Sequence, residues 1–264
     1  IAGFELDLGD AGSPSNGGIR IDSVLMDSDI LDTDKAWLTL KSSGGIERIG
    51  LATLTEEGIE PQEGAVLEGS ADFHKSGVSY PVVFEDGDQL RMYFAGLSQD
   101  INQIGTATSS DGETWIIAED PVLSADANWE SASVIPGSVE QLDDGTIRLW
   151  YSGSNGEEWR ISSATSDDGI NFSRDAADEA WLFDAGAPGE WDDSGVRDPW
   201  IVAGTNADGE DGVYLFYTGF DGDVWRGGAA FRSSTGNFER SWSGRTESTR
   251  AVLPITGGMF HPDG

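Results

Sequence analysis

One pattern constrains this chain more than any other: a strand-like block that recurs three times in full and once in weaker form. Its inner part reads apolar, aromatic, aromatic, small, glycine. The copies are Met92-Tyr93-Phe94-Ala95-Gly96, Leu149-Trp150-Tyr151-Ser152-Gly153 and Leu215-Phe216-Tyr217-Thr218-Gly219. Downstream of each comes Ala-Thr-Ser-x-Asp-Gly-x-x-aromatic or a decayed form of it, in Ala107 to Trp115, Ala164 to Phe172 and Ala230 to Phe238. From the glycine to that aromatic is 19 positions in every copy, while the copies are offset by 57 and then 66 residues. A fourth copy lies upstream, in Trp37-Leu38-Thr39-Leu40-Lys41 and Ile49-Gly50-Leu51-Ala52-Thr53. Self-similarity at a fixed internal spacing is the mark of stacked supersecondary units, none of which buries its apolar face alone.

Each unit reads as four short strands. An opening element, Ser76-Gly77-Val78-Ser79-Tyr80-Pro81, matches Ser194-Gly195-Val196-Arg197-Asp198-Pro199, and a version one residue shorter runs from Trp129 to Pro136. An Asp/Gly turn follows, then the aromatic strand, a small-residue strand, and an outer strand after the Asp-Gly turn. No window has helical periodicity. Four-stranded units of this length predict an all-β propeller. Blades are expected at about 19–67, 68–124, 125–184 and 185–253, within one domain covering 1–264. Gly258-Met259-Phe260-His261-Pro262 starts a fifth, and residues 1–18 could close the ring as its outer strand. A complete fifth blade needs about 40 residues, so the architecture expected is five-bladed with four clear blades and a partial fifth. The chain begins at Ile1, as a processed form or a fragment would.

Charge narrows the partners. With 48 acidic against 15 basic residues the net charge is −33, and Lys35, Lys41 and Lys75 are the only lysines. Such a surface repels nucleic acid and anionic lipid. It suits a salty medium in which ions screen self-repulsion. Cation binding by acidic loops is the sharper reading, but the acids are spread along the chain and form no calcium-loop pattern. No apolar run is long enough for a membrane-spanning helix. The absence of cysteine excludes disulfides and thiolate metal sites.

In a propeller the opening strands of neighbouring blades converge at one channel mouth, where ligand sites lie. The position of Asp198 is held by Tyr80 in blade two, Ile135 in blade three and His261 in the partial fifth, with Asp22 the nearest acid in blade one. Val196-Arg197-Asp198-Pro199, among blades bearing Tyr-x-Gly and Ser-x-Asp-Gly-x-x-Trp, resembles the five-bladed propeller glycoside hydrolases of families 32, 43, 68, 117 and 130. The resemblance spans about residues 19–264 and is specific to the superfamily rather than to one family. It implies a carbohydrate substrate, acid/base catalysis by acidic groups from different blades, and a secreted, periplasmic or extracellular setting. It implies no required cofactor, although a structural Ca2+ is compatible with it. Asp198 matches the Arg-Asp-Pro aspartate that stabilises the transition state in family 32. The Asn-Asp-Pro-Asn motif and Glu-Cys pair of that family are not found.

The remaining candidates follow from position and chemistry. Cleavage through an oxocarbenium-like state needs a carboxylate near the anomeric carbon and an acid near the leaving oxygen. His261 is the expected alternative proton donor, since imidazole titrates near neutrality, and Asp22 the expected base. Glu130 and Asp192 each follow a Trp ahead of an opening strand and are the fallback acids. Arg197, Tyr80, Trp200 and Trp225 complete the expected substrate-binding set, the two tryptophans as sugar-stacking candidates that occur in one blade each. An Arg beside an Asp favours the ionised carboxylate, yet neighbours on a strand face opposite ways, so Arg197 could equally pair elsewhere. Ser-x-Asp-Gly-x-x-Trp is similar to the sialidase Asp-box, one residue short between Asp and Gly, and is expected to be a structural turn. Two functions remain open: a glycoside hydrolase at the channel mouth, and a propeller without its acids that binds carbohydrate or protein.

Overall fold

The computed structural model describes residues 18–70, 72–126, 128–176, 181–233 and 236–240, with the backbone of 253–254. Among them there is no α-helix; the structure is antiparallel strands with two single-turn 3-10 segments, Asp72–His74 and Asn128–Glu130. The expected fifth blade, made from 1–18 and 254–264, lies outside the described residues apart from Gly18 and Pro254, which end other strands. The chain divides into two compact units, one running to Ser124 and one starting at Ala125. Each contains two four-stranded blades.

In the first unit, blade one is β1 (Gly18–Leu25), β2 (Lys35–Lys41), β3 (Glu47–Thr55) and β4 (Gly58–Pro61), paired in that order. Blade two is β5 (Gly77–Asp86), β6 (Gln89–Ser98), β7 (Ile101–Ser109) and β8 (Ile116–Ile117). In the second unit, blade three is β9 (Ser133–Gln141), β10 (Ile147–Ser154), β11 (Trp159–Ser166) and β12 (Ser173–Arg174). Blade four is β13 (Gly195–Thr205), β14 (Asp211–Phe220), β15 (Trp225–Ser233) and β16 (Glu239–Arg240). A short β17 (Leu253–Pro254) pairs with the start of β15.

The repeated aromatic block forms the second strand of each blade. Central strands are covered on both faces, so they read as continuous apolar runs. Tyr93, Phe94, Trp150 and Tyr151 are all fully buried. The glycine that ends the block is required by close approach. A Cβ at Gly96, Gly153 or Gly219 would meet Phe73/His74, Trp129/Glu130 or Trp191/Asp192 at 2.5–2.8 Å.

Within each unit the two blades are joined by the same contacts. In the first, Thr39 Oγ1 on β2 accepts the Tyr80 backbone N–H at 3.1 Å, and Ser23 Oγ accepts that of Val83 at 3.0 Å. In the second, Ser152 Oγ on β10 accepts the Asp198 N–H at 2.9 Å, and Ser138 Oγ that of Ile201 at 3.3 Å. An outer aromatic then closes each joint edge-on: Trp115 against Trp37 at 6.2 Å, and Phe238 against Trp150 at 5.7 Å.

The Asp-Gly turns are structural, as expected. In both, the serine Oγ (Ser109, Ser166) accepts the glycine N–H, and the aspartate Oδ1 (Asp111, Asp168) accepts the next two turn N–H groups, all at 2.7–2.9 Å. In the first unit the Gly112 carbonyl then accepts the Trp37 indole N–H at 3.1 Å, fastening blade two to blade one.

Candidate functional site

The site begins with a bulge. Each opening strand carries one residue more than its partner: register slips between Ile21 and Ser23, Ser79 and Val82, and Arg197 and Trp200. In β9 and β10 the slip falls opposite Trp150 and Tyr151, at Gly137. Bulges re-aim side chains and recur next to functional sites. At two of them a non-glycine residue sits in the left-handed region, Tyr80 at φ 53° and Asp198 at φ 55°. That conformation costs of order 1–3 kcal/mol for such residues and persists only where its surroundings enforce it. Here the enforcing contact is the hydroxyl of Thr39 or Ser152 on the neighbouring blade.

The bulge resolves how Arg197 and Asp198 face each other. Strict alternation would send them to opposite sides, but the left-handed residue breaks it, and Arg197 Nε lies 3.1 Å from Asp198 Oδ2. The contact is an ion pair by distance, while Arg197 Nε completes no hydrogen bond. Both side chains remain partly open, Asp198 at 34%.

Trp225 lies beside Arg197 in the same unit. The Arg197 guanidinium lies over its ring at 4.3 Å, and Phe220 stacks on it at 4.5 Å and 18°. Trp225 thus packs against both Arg197 and Phe220. It also has a counterpart that sequence reasoning missed. Asn155-Gly156-Glu157-Glu158-Trp159-Arg160 repeats Asp221-Gly222-Asp223-Val224-Trp225-Arg226. In both turns the first side chain accepts the N–H groups of the third and fourth residues at 2.8–3.0 Å. Trp159 stands 5.8 Å from the Arg197 guanidinium, so the arginine is flanked by tryptophans from two blades of one unit. The Asx-Gly-x-x-Trp-Arg match was the available signal. Trp200 is 40% exposed and remains an open aromatic surface.

Asp22 occupies the blade-one bulge but turns inward. Its Oδ2 accepts the Thr39 N–H at 2.9 Å and hydroxyl at 2.6 Å, and Arg20 Nε bonds to Oδ1. Burial raises its pKa, opposed by the Arg20 charge and the Thr39 bonds. Arg20 in turn lies over the Tyr80 ring at 3.8 Å. In the first unit, then, Asp22, Arg20, Thr39 and Tyr80 form one cluster; in the second, Asp198, Arg197, Ser152 and Trp225 form another.

Glu130 and Asp192 are corrected. Neither lies at an open mouth: both side chains are 0% exposed. Each sits inside its blade against a tyrosine from the second strand and an arginine from the outer strand. Asp192 Oδ2 accepts from Tyr217 Oη and from Arg240 Nε, both at 2.8 Å. Glu130 pairs with Arg174, and burial raises its pKa against the pull of that charge. Burial likewise raises the hydroxyl pKa of Tyr151 and Tyr217, with the facing carboxylate adding to it. No ligand reaches these carboxylates without opening the blade. His74 takes the same place in blade two and is buried, its Nδ1 accepting the Ser70 N–H at 3.2 Å. Ile135 is buried and supplies no acid. His261 lies outside the described residues. Among those residues, no group of three or more His, Asp or Glu side chains is arranged to hold a metal.

No family model matches the chain. Two uncharacterized proteins of Mycobacterium tuberculosis, from strains CDC 1551 / Oshkosh and ATCC 25618 / H37Rv, are each 29% identical over 131 residues, 47% of this chain and 42% of theirs. The chain therefore matches less than half the length of these relatives. Solved structures are similar over much more of it. A thermostable family-43 glycoside hydrolase superposes with a TM-score of 0.62 at 15% identity, covering 88% of this chain and 75% of that one. A structure reported with the family 130 mannoside phosphorylases and their β-1,2-mannoside-targeting hydrolases gives 0.60 at 16%, covering 83% and 69%. The β-1,2-mannobiose phosphorylase of Listeria innocua gives 0.55 at 18%, covering 74% and 52%. The chain has the all-β propeller fold of these carbohydrate-active proteins.

Proposed function

We propose that the chain is a glycoside hydrolase in which Asp198 is the carboxylate that faces the sugar. The observation that carries this reading is the strained bulge. A partly open aspartate is held at φ 55° by a buried serine of the next blade and ion-paired to an arginine that two tryptophans flank. Strain of this kind is retained where the side chain it aims has work to do. The fold shared with glycoside hydrolases and phosphorylases supports the reaction class, though fold alone does not fix function.

In the chemistry this supports, the Asp198 carboxylate stands against positive charge developing at the anomeric carbon, and Arg197 fixes its orientation. Trp200 offers an apolar face to a sugar ring. Asp198→Asn keeps the shape and removes the charge. It should lower kcat at least a hundredfold on whichever 4-nitrophenyl glycoside or oligosaccharide the unaltered protein cleaves, with a circular dichroism spectrum unchanged. Turnover within threefold of the unaltered protein would remove Asp198 from catalysis.

One observation favours a second reading, a carbohydrate-binding propeller without turnover. The bulges of blades two and three carry Tyr80 and Gly137 instead of acids. Glycan binding by the unaltered protein with no product formed over days would select it.

A further inference from the structure

The cations of the second unit point to the substrate class, given the glycosidase reading above. This unit contains no lysine; its positive charge is arginine alone. Recognition of an acidic sugar, or of phosphate, depends on a guanidinium or ammonium that is free to turn its donors to the anion. Among the described residues, the arginines about the bulge are committed. Arg197 is paired with Asp198 against the Trp225 ring, and Arg226 is bound to Asp221 in the turn that sets Trp225. Further out, Arg160 is paired with Asp184 and Glu158, Arg174 with Asp126 and Glu130, and Arg240 with Asp192. Arg148 is held by Glu140 and Asp175. Arg232 forms no ion pair among the described residues, and it stacks on Phe238 and Trp150 and pairs in the sheet with Val213, at the opposite end of β15 from Trp225.

An anion approaching Arg197 would therefore meet the Asp198 carboxylate on the same guanidinium. Behind it stands the field of a chain with net charge −33. Clefts of one sign concentrate ligands of the other sign and exclude their own. We infer that the Asp198 site selects glycans that carry no anionic groups. The same exclusion disfavours inorganic phosphate as the acceptor, which leaves water. Its oxygen bonds to the anomeric carbon as the glycosidic C–O bond breaks. One water proton ends on the leaving oxygen and the other stays on the new sugar hydroxyl.

The test measures binding of soluble neutral polysaccharides (mannan, arabinan, levan) and acidic ones (polygalacturonate, alginate) to the unaltered protein at 0.1 M and 1 M NaCl. The salt series contracts the screening length from about 10 Å to about 3 Å. The expected result is a neutral polysaccharide bound at least tenfold tighter than every acidic one at 0.1 M. Any residual acidic binding should strengthen at 1 M. An acidic polysaccharide bound within tenfold of the best neutral one, or losing affinity as salt rises, overturns the inference and leaves the glycosidase reading standing. Release of a sugar 1-phosphate from a bound neutral glycan in phosphate buffer also overturns it. Failure of all five polysaccharides to bind overturns the glycosidase reading together with the inference.

Discussion

Asp198 is held where it is by a single hydroxyl that belongs to another strand. Ser152 is fully buried and accepts the Asp198 N–H at 2.9 Å. Removing it orphans a backbone donor in a conformation that already costs energy. Ser152→Ala should destabilise the protein by about 1–2 kcal/mol in urea titration and, on the glycosidase reading, lower kcat more than it raises KM. Ser152→Thr should restore most of both, because Thr39 does the same work for Tyr80 at the other joint. A Thr variant as impaired as the Ala variant would mean that the hydroxyl is not what holds the bulge. Much of this was legible beforehand: the match of Ser79-Tyr80-Pro81 to Arg197-Asp198-Pro199 located the special position without any structure. What was not legible was direction. A left-handed bulge breaks the two-residue alternation, so no period could tell that Arg197 turns back to Asp198. Trp225 reads as unique in the sequence because its counterpart Trp159 lies in a turn that differs at three of six residues. Glu130 and Asp192 read as mouth residues for a related reason. Position in the chain marked them as preceding an opening strand, but only packing against Gly153 and Gly219 reveals that the chain dives into the blade there.

At the scale of the blade, the molecule contains its own comparison. Register with Ala107, Ala164 and Ala230 places Ile117, Arg174 and Arg240 at one position of the outer strand. The second strand offers Phe94, Tyr151 and Tyr217, and the residue before the opening strand is His74, Glu130 or Asp192. Blade two thus fills with His74, Phe94 and Ile117, a set that makes no ion pair, the place where blades three and four bury one. Breaking a buried pair leaves one charge without water or partner, whereas replacing the whole set is often close to neutral. Arg240→Ile alone should cost about 3 kcal/mol, and Asp192→His/Tyr217→Phe/Arg240→Ile distinctly less. Denaturant midpoints of the two variants decide it, and equal losses would contradict the interchangeability. The Asp-Gly turns bear on acid stability. Backbone N–H groups of Thr114 and Glu113 lower the Asp111 pKa from 3.8 to about 2. The unfolded chain therefore binds that proton first, so this contribution is complete above pH 3.8 and is lost as pH falls toward about 2. Asp168 is shifted the same way. Asp111→Ala should flatten the fall in Tm between pH 4 and pH 2 while lowering Tm at pH 6; an unchanged acid limb would place the acid sensitivity elsewhere. Asp22 and Glu130, raised by burial, act with the opposite sign: their contribution is present below the ordinary carboxylate range and fades as pH rises through the raised value.

At the scale of the whole chain, two electrostatic effects of salt oppose each other. Screening weakens ion pairs, each of which is worth about 0–1 kcal/mol at a surface. It also relieves the repulsion among charges that sum to −33. Distance decides which prevails. The pairs that bind Arg20, Lys35, Arg91, Arg160 and Arg240 close at 2.5–2.8 Å, inside even the roughly 3 Å screening length of 1 M salt. Repulsion between scattered carboxylates acts over 10 Å and more, so moderate salt removes it first. The unfolded chain, being expanded, carries less of that repulsion and gains less from its removal. Folding stability should therefore rise with sodium chloride, with Tm increasing by about 5 °C or more between 0.05 M and 1 M for a relief of a couple of kcal/mol. Chloride is the right probe because sulfate would stabilise by exclusion from any protein surface. Charge reversal at exposed acids that hold no arginine, such as Glu57→Lys with Glu63→Lys, should raise Tm at 0.05 M and shrink the salt response. A melting temperature that stays flat or falls across the series would mean that the ion pairs, and not the excess of acid, govern how this fold answers salt.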